Sequence, residues 1–305
     1  RLAKRMRGQL LAPILSLSAR RAVVDGVPRM GAALGATRAP HVLGDLTVYR
    51  NHFFSSEEAQ DNVALVVTNS PTVNEDVASV RDEGDSVFAR AWRASRMRVC
   101  ADGAANRLFD GLGTQSLRAT HVPDLIAGDL DSIRDDVRAY YERLGARIYR
   151  DRDEDHHDLD KCLSQLLPVQ DRWIQEGTRS MTIIVLGSFG GRLDQEMANL
   201  NMLFRWRSFG RILLLSSDST AMLLRPGRHE IHPDLSFESR GCGLIPLGTP
   251  CRSVTTSGLR WNLGAQELAF GGLVSSSNEI VDDVVHIETD SELLWTTTLR
   301  MSTAL

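Results

Sequence analysis

The spacing of hydrophobic residues between residues 62 and 216 limits the fold of this chain more than any other feature. Short β-branched or aliphatic runs alternate there with segments whose apolar residues recur every three or four positions. The runs predict buried strands at residues 63–68, 97–101, 125–127, 147–150, 181–186 and 211–216. The periodic segments predict amphipathic helices at residues 86–96, 133–144, 159–167 and 195–207. This alternation predicts an α/β fold with a parallel sheet that is covered on both faces.

The pattern changes after about residue 221. Short strand-like runs follow one another, separated by prolines and glycines, and no long helical segment is apparent. Such a pattern is typical of an antiparallel β domain. We therefore predict an α/β domain at residues 61–218 and an antiparallel domain at residues 219–305.

The amino-terminal end differs from the rest of the chain. Residues 1–40 contain eight basic residues against the single acid Asp25. This composition predicts a basic extension over residues 1–60, either a targeting segment or a disordered tail. A cytoplasmic location is the default expectation, and an organelle is the alternative if the extension is a targeting sequence.

Composition excludes several classes of protein. A net charge of −4 argues against a nucleic-acid partner, because no overall positive field is available to hold a polyanion. No apolar run approaches the ~20 residues of a membrane-spanning helix, so no membrane partner is expected. The cysteines lack the spacing of a zinc site or a disulfide scaffold, which predicts buried free thiols at Cys100, Cys162, Cys242 and Cys251.

Acidic or glycine-rich clusters follow four of the predicted strands. They occupy residues 101–106, 127–132, 151–160 and 187–194. Any one of them could simply cap a helix, since Asp and Asn are favoured at that position. However, parallel strands end at the same edge of a sheet, where open α/β sheets bind their ligands. Four clusters at one edge therefore predict a ligand site.

The acids within these clusters are spaced for metal binding. Asp129 and Asp131 are two residues apart, so an extended backbone would point both carboxylates to one side, toward a single Mg²⁺ ion. Asp155 and Asp158 are three apart at a helix start, and we predict Asp158 as a further ligand. So many carboxylates would repel one another without a counter-cation. The clustering therefore predicts bound metal and phosphate.

The glycine-rich loop at residues 187–194 is the predicted phosphate site, because it offers backbone N–H groups and Arg192 ahead of a helix. Lys161 is a second candidate for phosphate binding, with a solvated surface charge as the alternative. His156 and His157 are adjacent and would point about 100° apart on a helix, which argues against a shared transition metal. No nucleophile for covalent catalysis is apparent.

Taken together, the motifs resemble the thiamine pyrophosphokinase family. The resemblance covers residues 63–295 and rests on the segments ADGAANRL (101–108), AGDLDS (127–132), DEDHHDLDKCL (153–163), GGRLDQ (190–195), CGLIPL (242–247), SGLRWNL (257–263) and LVSSSN (273–278). It implies an α/β domain and a carboxy-terminal β-sandwich that pair into a homodimer with active sites between subunits. It also implies transfer of pyrophosphate from ATP, the co-substrate, to thiamine, giving thiamine diphosphate and AMP.

The resemblance assigns roles to particular residues. It implies an acidic, Mg²⁺-organising centre at Asp102, Asp129, Asp131 and Asp158. It implies a glycine loop at Gly190 and Gly191 in which Arg192 faces phosphate and Asp194 faces the substrates. It implies a thiamine pocket that includes Trp261, Ser275, Ser277 and Asn278.

Physical chemistry is consistent with these roles. An indole ring attracts the cationic thiazolium of thiamine by roughly 0.5–2 kcal/mol, although a tryptophan in a β domain is often a packing residue. The hydroxyl of thiamine would attack the β-phosphorus in line, with Arg192 neutralising charge. Either Asp102 or Asp194 could accept the hydroxyl proton, and the sequence does not distinguish them.

Four positions depart from the family pattern. Ala104 replaces a common glycine, which matters only if that residue needs a positive φ. Glu154 replaces a glutamine and Asp160 a threonine, so we expect added negative charge beside the phosphate site. His157 replaces a threonine. None of the four removes a proposed ligand, and activity is expected to survive.

Two other functions remain open at this stage. A phosphohydrolase or an ordinary kinase could use the same acidic crevice and would release phosphate or ADP. A non-catalytic thiamine- or nucleotide-binding protein would bind without turnover.

Overall fold

A computed structural model describes residues 46–82, 86–153, 155–207 and 209–300. The strands are β1 (Thr47–Arg50), β2 (Gln60–Val67), β3 (Ser95–Ala101), β4 (Leu125–Gly128), β5 (Arg147–Arg150), β6 (Thr182–Leu186), β7 (Arg211–Leu215), β8 (Ser219–Leu224), β9 (Gly227–His232), β10 (Glu238–Ile245), β11 (Cys251–Ser257), β12 (Gln266–Leu268), β13 (Ser275–Glu279), β14 (Val285–Thr289) and β15 (Leu293–Leu299). The α-helices are α1 (Val73–Ala78), α2 (Val87–Ala94), α3 (Ala104–Leu112), α4 (Gln115–Thr120), α5 (Asp135–Arg143), α6 (Asp158–Gln175) and α7 (Leu193–Arg205).

The predicted parallel sheet is confirmed. Its six strands run in the order β7-β6-β2-β3-β4-β5, and all five neighbouring pairs are parallel. The central strand β2 is buried over its last five residues, as expected where helices cover both faces of a sheet. All these strands therefore end at one edge, where the acidic clusters lie.

The predicted helices are present as α2, α5, α6 and α7. Helix α6 extends to Gln175, well past the predicted end at residue 167, and contains Pro168. Its apolar face continues beyond the proline, because both Leu166 and Trp173 are buried. Packing on the sheet therefore outweighs the local cost of a proline within this helix.

The carboxy-terminal region consists of antiparallel strands, as predicted. Strand β8 pairs with β7 and is followed by β15, β10 and β13, which extends the parallel sheet to ten strands. A second sheet runs in the order β1-β9-β14-β11-β12. Residues of both sheets, such as Trp295 and Ile287, belong to one core cluster, as in a β-sandwich. The domain boundary at residue 218 stays a prediction, and β7 and β8 pair across it.

Residues 47–60 belong to the fold, whereas the sequence placed them in the amino-terminal extension. Strand β1 pairs in parallel with β9, and Phe54 is fully buried against Phe237. The signal was missed because β1 has only four residues and its partner lies about 180 positions away. The remainder of the predicted extension, including any targeting segment, lies outside the described residues.

All four cysteines are buried and free, which confirms the prediction for them. Within the described ranges, no helix is both long enough and apolar enough to cross a membrane.

Candidate active site

Asp102 stands at the end of β3 and is fully buried. Its carboxylate accepts hydrogen bonds from the backbone N–H groups of Ser132 (3.0 Å) and Ile133 (3.1 Å). Its backbone has a positive φ of 42°, which is uncommon for a residue with a side chain. Burial raises the pKa of Asp102, with the charges of Asp129 and Asp131 adding to the rise and the two hydrogen bonds opposing it. A strained backbone thus fixes a buried carboxyl at the sheet edge.

Asp129 and Asp131 lie beside Asp102, after the end of β4. One carboxylate oxygen from each of the three lies within 4.8 Å of the others. The backbone between the pair is not extended as the sequence suggested. It turns through Leu130 at a φ of 63°, and the N–H of Asp131 bonds to Asp129 Oδ1 at 3.2 Å. The predicted pair is therefore close together, but a turn rather than a strand brings this about.

Lys161 lies among these acids and is not a surface charge. Its side chain is only 2% exposed, and its Nζ lies 3.5 Å from both Asp129 Oδ2 and Asp158 Oδ1. Burial and the charges of Asp102 and Asp129 raise the pKa of Asp158. Although burial opposes it, the two carboxylates raise the pKa of Lys161. Hydrogen bonding from Asp131 N–H and the charge of Lys161 outweigh burial and lower the pKa of Asp129.

Gly128 allows the carboxylates to approach one another. A Cβ atom at this position would lie 2.6 Å from Asp102 Cβ and 3.0 Å from Asp158 Oδ1. Real side chains do not tolerate such contacts, so a larger residue would separate the acids. The last residue of β4 is therefore part of the site although it carries no functional group.

A cavity of about 420 Å³ opens beside the acids, at the ends of β2, β3 and β6. The predicted site residues that line it are Asp158, Gly191 and Arg192. The rest of the lining combines polar side chains with apolar ones such as Phe189 and Met202. The predicted thiamine residues of the β-sandwich do not line this cavity.

The glycine loop differs from the prediction in one respect. The N–H groups of Gly190 and Gly191, expected to be free for phosphate, both donate to Glu196 Oε1, at 2.9 and 3.0 Å. The carboxylate of Glu196 thus takes the position of an anionic ligand. Arg192 and Asp194 form an exposed ion pair, in which Nε donates to Oδ1 at 3.0 Å. The sequence gave no sign of this internal pairing.

Asp160 does not add charge beside the phosphate site, contrary to expectation. It is buried, and its Oδ1 accepts a hydrogen bond from Trp206 Nε1 and forms an ion pair with Arg205 Nε at 3.1 Å. Because Arg205 ends α7 and Trp206 follows it, the Asp160 charge is paired between α6 and the end of α7. Ala104 is the first residue of α3 and has no positive φ, so the absence of glycine there is harmless.

The remaining acidic-loop predictions concern three residues. His157 precedes α6 and lines the cavity. Asp155 is exposed, and its N–H bonds to Asp153 Oδ1 at 2.9 Å. Glu154 lies outside the described residues.

The predicted thiamine residues lie together on the β-sandwich. Trp261 is 55% exposed, and the guanidinium of Arg260 lies 5.0 Å from its ring centroid. Asn278 is buried, and its amide bonds to both the N–H and the C=O of Trp261, at 3.2 and 2.9 Å. Asn278 also donates to Ser275 Oγ at 3.3 Å, whereas Ser277 is exposed with a φ of 59°. Asn278 therefore acts by fixing the backbone that presents the indole ring.

Sequence reasoning missed Arg107 and Asn69, which also line the cavity. Arg107 Nε donates to Asn69 Oδ1 at 2.6 Å, and its Nη1 reaches Asn74 Oδ1 at 3.4 Å. Arg107 stands within the motif at residues 101–108, but nothing in the local pattern separates it from other charges on a helix. Only the packing of α3 beside the loop after β2 reveals its position.

Comparisons with known proteins agree with this arrangement. Two family models match, described as the catalytic domain of thiamin pyrophosphokinase (residues 88–214) and its vitamin B1 binding domain (residues 228–294). Thiamine pyrophosphokinase 1 of Oryza sativa subsp. japonica is 45% identical over 218 residues, which cover 68% of this chain and 81% of that protein. Thiamine pyrophosphokinase 1 of Arabidopsis thaliana is 42% identical and covers 68% and 80%.

Solved structures share the fold. Yeast thiamin pyrophosphokinase superposes with a TM-score of 0.70 at 21% identity, covering 88% of this chain and 96% of that one. The Candida albicans enzyme gives 0.69 at 23% identity and covers 84% and 93%. The sequence relatives and both family models establish that this chain belongs to the thiamine pyrophosphokinase family.

Proposed function

We propose that this protein is a thiamine diphosphokinase. It would move the pyrophosphoryl group of ATP to the hydroxyl of thiamine by in-line attack at the β-phosphorus, giving thiamine diphosphate and AMP. The observation that carries the proposal is the cluster of Asp102, Asp129 and Asp131 beside a cavity large enough for a substrate. Asp102 belongs to the motif at residues 101–108, and Asp129 and Asp131 belong to the motif at residues 127–132. The sequence relatives of this chain are thiamine pyrophosphokinases.

The acid cluster suits Mg²⁺. Three carboxylate oxygens within 4.8 Å of one another are hard ligands for a hard cation, and two backbone N–H groups already orient Asp102. Asp102, Asp129 and Asp131 would hold the ion, and Asp158 would complete the centre together with its partner Lys161. Bound Mg²⁺ would neutralise phosphate charge. Lys161 supplies fixed positive charge beside the same carboxylates.

The glycine loop would receive the polyphosphate. Arg192 lies at the cavity wall, and its partner Asp194 is exposed, so a phosphate can replace that carboxylate at little cost. Glu196 would have to release the N–H groups of Gly190 and Gly191 for a phosphate to take its place.

The β-sandwich supports a homodimer with shared active sites. Trp261, Phe270 and Leu273 are 55%, 66% and 47% exposed, although large apolar side chains are normally covered. The cavity beside the acids is lined without any of them. A second copy would cover these side chains and bring the thiamine residues of one subunit to the acidic centre of its partner. We propose this assembly and, as its setting, the cytoplasm, with an organelle as the alternative.

Product analysis tests the proposed reaction directly. The protein is incubated with ATP, Mg²⁺ and thiamine, and the products are separated, with metal-free and thiamine-free controls. Equal amounts of AMP and thiamine diphosphate that depend on both additions are expected. ADP or phosphate formed without thiamine would instead indicate an ordinary kinase or a phosphohydrolase. Binding without turnover would indicate a non-catalytic binding protein.

A further inference from the structure

The cations around the cavity differ in how fully they are paired. Arg192 forms an ion pair with Asp194, and Lys161 lies between two carboxylates. The hydrogen bonds of the Arg107 side chain go to the neutral amides of Asn69 and Asn74. Within the part of the chain that the structure describes, no carboxylate forms an ion pair with Arg107. Arg107 therefore keeps a whole positive charge for an anionic ligand, oriented by two amides that do not neutralise it.

Arg107 lies between two cavities. A second cavity, of about 590 Å³, adjoins the first and is also lined by Asn69 and Arg107. The rest of its lining is polar: Asn74, Arg81, Asn106, Asp110 and small residues. A ligand that extends from one cavity into the other must pass the guanidinium group.

The backbone fixes Arg107 close to the acid cluster. Gly103 directly follows Asp102, and a Cβ at Gly103 would lie 2.4 Å from Asn69 Nδ2. Asn69 thus packs against the chain next to the cluster, and its other amide atom, Oδ1, accepts from Arg107 Nε at 2.6 Å. Asn69 therefore lies between the chain next to the acid cluster and Arg107, which has no carboxylate partner among the residues that the structure describes.

From this geometry we propose that Arg107 binds a phosphate group of the nucleotide at the junction of the two cavities. The inference deepens the proposed function and rests on it for the identity of the ligand. A guanidinium group presents parallel donors that match phosphate oxygens, so two contacts can form without movement of the metal ligands. Asn69 and Asn74 act as positioning residues that hold the guanidinium group of Arg107 in place.

Nucleotide binding in the absence of thiamine tests the role of Arg107. Calorimetry with Mg²⁺ and α,β-methylene-ATP, which cannot be cleaved at the relevant bond, is performed on the full chain. Arg107→Gln is expected to weaken binding about tenfold or more. Arg107→Lys should weaken it by a smaller factor, because lysine keeps the positive charge but lacks the parallel donors of a guanidinium group. A dissociation constant for Arg107→Gln within about twofold of the unsubstituted protein would overturn the proposal.

Arg118 provides a matched control. Arg118 stands on α4, and its guanidinium lies 3.7 Å from the ring centroid of Phe109 on α3, the helix that carries Arg107. Arg118 lines neither cavity. Arg118→Lys should leave nucleotide binding unchanged. Thermal melting of every variant separates weakened binding from unfolding. A purely structural role would replace the proposed one if two results were found together. Arg107→Lys would keep its melting temperature and bind the nucleotide as tightly as Arg118→Lys, and Arg107→Gln would lose only stability.

A double-mutant cycle identifies the charge as the cause. Asn74→Asp would place a carboxylate near Arg107 Nη1, now 3.4 Å from the amide oxygen, and should weaken nucleotide binding by neutralising the guanidinium. The same substitution should have a much smaller effect in the Arg107→Gln background. An undiminished effect there would show direct repulsion and contradict the proposal.

If the unsubstituted protein forms AMP and thiamine diphosphate while Arg107→Gln binds normally, this inference alone fails. If it binds nucleotide through Arg107 but forms neither product, the proposed function fails instead.

Discussion

The edge of the parallel sheet and the outer surface of the β-sandwich are organised in opposite ways. At the sheet edge, Asp102 is fully buried and accepts two backbone hydrogen bonds, and Lys161 bridges two carboxylates of the same chain. On the sandwich, Asn278 fixes the backbone of Trp261, yet the indole itself remains 55% exposed. The contacts of the first region lie within a single chain, whereas the second presents an indole ring that is more than half exposed. This contrast supports the proposal that two copies assemble the active site.

The largest effect is expected at the sheet edge. Asp131→Asn should lower kcat by about 100-fold or more, because the metal site loses one of its charged ligands. The melting temperature should change little, since Asp131 is exposed. Steady-state kinetics and thermal melting are the measurements, and Asp135→Asn on α5, whose side chain is 94% exposed, is the control. Near-normal turnover of Asp131→Asn would remove this residue from the metal site.

A buried acid outside both regions shows what burial costs when no partner compensates for it. Asp76 on α1 is buried, and none of the residues that the structure describes forms a hydrogen bond with its Oδ2. Burial raises its pKa from 3.8 to about 6, and the charges of Glu75 and Asp218 add to the rise. The folded state then holds a proton that the unfolded state releases, so stability falls as pH rises from about 4 to above 6.

Asp76→Asn should remove that loss. Above pH 7 the variant should be more stable than the unsubstituted protein, by up to roughly 2–3 kcal/mol at 1.36 kcal/mol per pKa unit, and the difference should shrink toward pH 4. Urea denaturation between pH 4 and pH 8 measures this. An equal stability difference at both pH values would show that the titration of Asp76 is not the cause.

A smaller and more selective effect is expected on the sandwich. Trp261→Ala should raise KM for thiamine by about 2- to 30-fold, the equivalent of roughly 0.5–2 kcal/mol of stacking and cation–π attraction, and leave KM for ATP unchanged. Phe270→Ala, which removes another exposed aromatic ring, serves as the comparison. Equal changes in both KM values would assign Trp261 to packing.

The smallest effect concerns the glycine loop. Glu196→Gln retains an acceptor for the N–H groups of Gly190 and Gly191 but removes the charge, so stability should fall by less than about 1 kcal/mol. Hydrogen exchange at the amides of Gly190 and Gly191 should accelerate without a change in α7. Unchanged exchange at both amides would show that the Glu196 contact is not maintained in solution.

The sequence predicted the parallel sheet and its acidic edge because both depend on local patterns. Apolar runs define the strands, and residues that directly follow parallel strands converge wherever the helices lie. The sequence therefore predicts Asp102, Asp129 and Asp131 at one edge of the sheet, where the structure brings them together.

Contacts between distant segments could not be predicted in this way. Strand β1 is too short to be recognised without its partner β9. Asp160 looked like a charge beside the phosphate site, because its link to Trp206 depends on how α6 and α7 pack. Arg107 became a candidate only when Asn69 and Asn74 were found beside it. In each case the deciding contact crosses from one element to another.

Subunit mixing tests the division of the site between two copies most directly. Asp131→Asn and Trp261→Ala proteins are unfolded, mixed in equal amounts and refolded together, and activity is measured at a thiamine concentration far below KM, where the loss in Trp261→Ala is largest. Half the dimers are then mixed, and each has one intact site if each site takes its acids from one subunit and its indole from the other. The mixed dimers should contribute about one quarter of the unsubstituted activity, beyond the residual activity of the remaining Trp261→Ala dimers. Activity no greater than the sum of the two variants refolded separately would contradict it.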